Sequence, residues 1–93
     1  RSFRAHHTIL TIGAMDEVTG AMQYSIDEAQ IASAMIDRSQ KVTVLVDSSK
    51  FGKLASFEVC SLEKIDRIIC DTPPKGSLKS ALENNAVEII VAE

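Results

Sequence analysis

The stretch from Val42 to Gly52, read as VTVLVDSSKFG, limits the folds open to this chain more than any other. Val42 to Val46 is a largely β-branched apolar run without alternation, which predicts a strand buried on both faces. Strands of that kind sit centrally in parallel sheets with helices on both sides. The run ends abruptly in Asp47-Ser48-Ser49-Lys50, and parallel sheets bind ligands just beyond the carboxyl ends of their strands. Lys50 offers a flexible point charge suited to phosphate. The serines offer hydroxyls and backbone N–H groups, and Asp47 can accept from a sugar hydroxyl. Gly52 lets the backbone turn or approach a ligand closely. A plainer reading uses the same residues, with Asp47 and Ser48 capping the next element and Lys50 pointing into water.

Around that stretch the chain alternates strands and helices. Thr8–Ile12 reads as a first strand, followed by a loop from Gly13 to Gly20. His6 and His7 precede the strand, and adjacent strand residues point to opposite faces, which disfavours a shared metal. Ser25-Ile26-Asp27-Glu28 has the form of a capping box opening a helix to about Arg38. Its apolar positions Ile26, Ala29, Ile31, Ala32, Met35 and Ile36 predict a wide buried arc. Ser56–Cys60 alternates as a short half-exposed strand, and Ser61–Lys64 suits a single helical turn. Arg67–Cys70 is a second buried strand, stopped by Pro73 and Pro74, which cannot continue a ladder. Ser77–Glu83 reads as a short helix and Val87–Val91 as the last strand. This order predicts an α/β fold with a mainly parallel sheet and right-handed crossovers. Two helices are too few to cover both faces of such a sheet, so the exposed apolar surface predicts self-association into a homo-oligomer.

Ninety-three residues with a net charge of −3 make one small domain. No cluster of lysine and arginine forms a basic face, so these residues are poorly suited to gripping DNA phosphates themselves. No apolar stretch approaches the ~20 residues of a membrane span, and the opening residues lack the layout of a signal peptide; a cytoplasmic location is expected. Cys60 and Cys70 have neither Cys-x-x-Cys spacing nor a nearby histidine, which predicts free thiols at strand ends. No metal or cofactor is expected.

Gly13-Ala14-Met15-Asp16, Thr19-Gly20, Asp27-Glu28-Ala29, Val42 through Gly52, and Ile65 through Asp71 together resemble the C-terminal sensor domain of DeoR-type bacterial transcription regulators. The resemblance runs over essentially all 93 residues, and Asp-Ser-Ser-Lys-Phe-Gly is its most specific piece. It implies a domain similar in fold to ribose-5-phosphate isomerase and glucosamine-phosphate deaminase, binding a phosphorylated sugar or related metabolite. In such regulators an N-terminal helix-turn-helix holds the DNA. Against that pattern the chain corresponds to the second part of a sensor domain, without the DNA-binding region or the first half carrying the phosphate loops. The resemblance places Asp47 and Lys50 in the effector pocket. Asp16 falls in a segment like the isomerase's Gly-Ala-Asp-Glu-Val, and Glu28 where that enzyme carries a glutamate base. Asp16 is equally suited to a turn, and for Glu28 the capping-box role is the stronger reading. Between these carboxylates the isomerase places a lysine and a run of glycines, where this chain has Ala21-Met22-Gln23-Tyr24. An enediol mechanism needs a positioned acid–base set and help for the oxyanion, so binding without turnover is expected. The competing readings are an isomerase or deaminase fragment and a purely structural assembly module.

Overall fold

The computed structural model describes residues 5–92. Among the described residues seven strands form two sheets, one parallel and one antiparallel, and two α-helices accompany them. The parallel sheet is built from β1 (Ala5–Thr11), β4 (Ser39–Leu45), β6 (Arg67–Cys70) and β7 (Glu88–Val91), in that spatial order. β1 pairs with β4, β4 with β6 and β6 with β7, all in parallel. The Val42–Val46 run is therefore interior, with Val42, Thr43, Val44 and Val46 buried. Leu45 departs from the expected double burial and is 38% exposed.

The helices form where local chemistry favours them. α1 spans Ile26–Asp37, and the Ser25 hydroxyl accepts from the Glu28 N–H at 3.3 Å, satisfying an orphan donor of the first turn. Asp27 and Glu28 in that turn complement the positive end of the helix. The buried stripe is narrower than the sequence suggests. Ala29, Ala32 and Ile36 are buried, whereas Ile26, Ile31 and Met35 lie open at 50%, 62% and 44%. Apolar periodicity counts hydrophobic residues and cannot tell which flank of the arc meets the sheet. α2 spans Gly76–Asn84 and buries Leu78 and Leu82. Single 3-10 turns at Ser48–Lys50 and Leu62–Lys64 follow β4 and the short strand Phe57–Cys60.

The expected loop from Gly13 to Gly20 is instead structured. β2 (Ala14–Asp16) and β3 (Gly20–Gln23) form a hairpin, and β5 (Phe57–Cys60) joins it antiparallel to β3. The strands are too short for an alternation pattern to register. Gly20 takes φ +88° at the end of the three-residue turn, and a Cβ there would strike the Cys60 carbonyl. Met15, Ala21 and Val59 join Val42, Val44, Ile65, Ile68, Leu78 and Leu82 in one core.

Paired residues of a parallel ladder point to the same face. Thr8, Val42, Val44, Ile68 and Cys70 share one face of the sheet and are buried. The opposite face carries His7, Ile9, Thr11, Lys41, Leu45, Ile69 and Ile90, and none of these is buried. Thr43 is the exception on that side, and its hydroxyl meets His7 Nε2 at 2.7 Å. His6 reaches Gln40 instead, so the two histidines do not converge. Both cysteines are free: Cys70 is buried and Cys60 half-buried. No helix among the described residues is long and apolar enough to cross a membrane.

Candidate functional site

The carboxyl ends of the parallel strands gather the polar residues that follow them. After β4 the backbone leaves the sheet at Asp47, which caps the 3-10 turn by accepting from the Ser49 N–H at 2.9 Å. The Ser49 hydroxyl also donates to Asp47, and the Lys50 ammonium meets the other carboxylate oxygen at 3.2 Å. Hydrogen bonding from the Ser49 hydroxyl, then from Lys50, holds the Asp47 carboxyl below its ordinary value. Asp71, the residue after β6, receives the Ser48 N–H at 2.7 Å and the Ser48 hydroxyl at 3.3 Å. The Ser48 N–H chiefly lowers its pKa, with the Thr72 N–H adding to it. Two carboxylates thus tie the Asp-Ser-Ser-Lys turn to the ends of β4 and β6.

The hairpin closes this region from the side. Gly52 adopts φ +73° and its N–H donates to the Met15 carbonyl at 2.8 Å, bringing β2 alongside Phe51. A hollow of about 430 Å³ opens there, lined by Asp16, Ser48, Phe51, Thr72, Lys75 and Ser77 among others. The Ser77 hydroxyl donates to Glu17 at 2.6 Å across its mouth, fastening the hairpin turn to the start of α2. Asp16 lines this hollow while its carboxylate accepts from the N–H groups of Val18 and Thr19 at 2.9 and 3.1 Å. It is therefore a turn residue by its bonds and a wall residue by its place.

Glu28 does not share that hollow. It lines a second one of about 470 Å³ with Thr11, Gln23, Ile31, Met35 and Leu45. Asp47 borders a third, shallow hollow with Thr11, Leu45 and Asp71. Thr11 and Leu45 belong to both, so the second and third hollows meet at the ends of β1 and β4. Asp71, Thr72, Lys75 and Ser77 escaped the sequence reading. Asp71 carried a usable signal, because it follows a buried strand just as Asp47 does. Among the described residues no three His, Cys, Asp or Glu side chains converge on a metal position.

A family model described as the DeoR C terminal sensor domain matches residues 1–72. Among curated proteins the chain is similar to the HTH-type transcriptional repressor CsqR of Escherichia coli, 24% identical over 98% of this chain and 35% of that protein. It is 29% identical to the Glycerol-3-phosphate regulon repressor of the same organism, over 94% of this chain and 34% of that protein. The HTH-type transcriptional repressor GlcR of Bacillus subtilis is 28% identical over 86% of this chain and 33% of that protein. The chain thus spans about a third of the length of the curated relatives it matches.

Proposed function

The chain belongs to the DeoR C-terminal sensor domain family, and from that premise we propose that it is the effector-sensing part of a transcription regulator. The effector is a phosphorylated sugar or related metabolite, and its binding modulates DNA binding by a helix-turn-helix elsewhere in the same regulator. The observation that carries this reading is the polar crest at the carboxyl ends of β4 and β6. It lies where parallel sheets bind ligands, in a family whose relatives include a glycerol-3-phosphate regulon repressor. Lys50 contributes charge to the phosphate, exchanging part of its contact with Asp47 for the ligand. Asp47 and Asp16 accept from sugar hydroxyls, and Glu28 reaches the ligand from the adjoining hollow by way of Thr11. The 93 residues form the later part of the sensing domain, and the regulator as a whole acts as a homo-oligomer in the cytoplasm.

Binding without turnover is the better fit to the site. The Val18 and Thr19 N–H groups hold one oxygen of Asp16 in the turn, and Asp16 and Glu28 line different hollows, so the two carboxylates meet different parts of the ligand and not one reacting centre. A pair of carboxylates working on one substrate as acid and base must share it within hydrogen-bond reach. The test uses the full regulator on its operator, titrated with sugar phosphates, comparing wild type with Lys50→Met. A charge-assisted contact is worth roughly 1.5–3 kcal/mol, so the variant needs about ten- to a hundred-fold more effector for release. An unchanged effector response in a folded Lys50→Met regulator contradicts the assignment.

A further inference from the structure

The hollow between the hairpin and α2 adjoins the crest and carries a charge pattern of its own. Its volume of about 430 Å³ falls in the range of small-ligand sites. Phe51, Pro73 and Leu78 supply apolar lining that suits the carbon face of a sugar. Ser48 joins hollow to crest, because it lines the one while its N–H and hydroxyl bind Asp71 in the other. Asp16, Glu17 and Lys75 bring two carboxylates and one ammonium group to the same space. Both carboxylates are held in place. The Val18 and Thr19 N–H groups bond to Asp16 Oδ2, which leaves Oδ1 without a partner among the described residues. The Ser77 hydroxyl donates to Glu17 Oε1 at 2.6 Å, which leaves Oε2 in the same condition. Lys75 makes no ion pair among the described residues. The balance in the hollow is therefore negative, and its two open carboxylate oxygens can only accept.

From this arrangement we infer that Glu17, together with Asp16, is a specificity-determining residue that keeps a second anionic group out of the hollow. This rests on the effector reading, in which the phosphate meets Lys50 and the sugar reaches Asp16, and it narrows the effector to a class. That class is the sugar monophosphates, with a far end that is uncharged and bears hydroxyls. A hydroxyl donates to either open carboxylate oxygen and accepts from the Lys75 ammonium or the Thr72 hydroxyl. A second phosphate or a carboxylate, ionised at neutral pH, has no proton to donate and faces two like charges. Like-charge juxtaposition is a means of rejecting wrong partners. Lys75 offsets part of the repulsion, but one ammonium does not cancel two carboxylates. The hollow opens to water, so salt screens this rejection. Rejection by shape has no such dependence.

The test titrates the full regulator with pentose and hexose monophosphates and with the corresponding bisphosphates, read by calorimetry. The expected result is monophosphate binding about ten-fold or more tighter at low salt, a gap that narrows as salt is raised. Glu17→Gln keeps an acceptor for the Ser77 hydroxyl and removes one negative charge, so it shrinks the gap. Lys75→Met removes the offsetting cation, so it widens the gap. Bisphosphates binding as tightly as monophosphates, or tighter, overturn the charge filter and leave the effector reading intact. A gap that neither salt nor Glu17→Gln alters also overturns it, and assigns the rejection to shape. So do substitutions that weaken both ligand classes equally, which is the mark of a structural role. Failure of every monophosphate and bisphosphate to bind removes the effector reading itself, and the charge filter falls with it.

Discussion

At the scale of single residues, the crest is held by carboxylates that must stay charged. Asp47 and Asp71 both titrate below the ordinary aspartate value of 3.8. A depressed folded pKa means that their contribution to stability is complete above the unfolded value and lost as pH falls through the folded one. The Ser48 and Ser49 amide resonances are therefore expected to titrate with midpoints below 3.8, followed by NMR on acidification. Midpoints at or above that value contradict the bonding described. The thiols behave oppositely. Burial, opposed in part by Lys64, pushes Cys60 up to about 11 from 9.0. Its contribution to stability is present below pH 9 and lost as pH rises towards 11. At pH 8 its alkylation should run roughly a hundred-fold slower than in unfolded chain, since only the thiolate reacts. A fast-reacting Cys60 in folded protein contradicts the burial. The place of Asp47 and Lys50 in the turn after β4 was legible in sequence, because Asp47 ends the apolar run. The partnership of Ser48 with Asp71, 23 residues later, depends on β4 and β6 being neighbours, which no local pattern encodes.

At the scale of elements, the segments marked by a cap or an apolar run were legible and those without such a mark were not. α1 has its Ser25 cap, and the parallel strands have their apolar runs, even where β6 and β7 span only four residues. β2 and β3, of three and four residues, are set by tertiary pairing and by one glycine. Gly20→Ala places a Cβ in the left-handed region and against the Cys60 carbonyl. Its cost is expected at about 1–3 kcal/mol, measured by urea denaturation of the full regulator. A neutral Gly20→Ala contradicts the hairpin turn. Ser25→Ala removes the α1 cap and should cost about 1 kcal/mol. The exposed Ile31 and Met35 show where sequence reading reached its limit. Their apolar character was visible, but which flank of α1 meets the sheet is set by tertiary packing.

At the scale of the whole molecule, handedness and a one-way strand order decide what is covered, and the carboxyl ends of the strands decide where a ligand fits. The α/β class and mainly parallel sheet followed from the alternation of elements. The separate antiparallel sheet did not, because β3 (Gly20–Gln23) and β5 (Phe57–Cys60) are separated in the chain by α1 and β4 and pair only in the tertiary fold. The central claim is that this crest senses a phosphorylated sugar without altering it. The most direct measurement is calorimetric titration of the full regulator with a panel of sugar phosphates, followed by recovery of the bound compound. The account predicts that one class binds saturably and is recovered unchanged, and that Lys50→Met weakens it about ten- to a hundred-fold. Absence of binding by every member, or recovery of an isomerised or deaminated product, contradicts it.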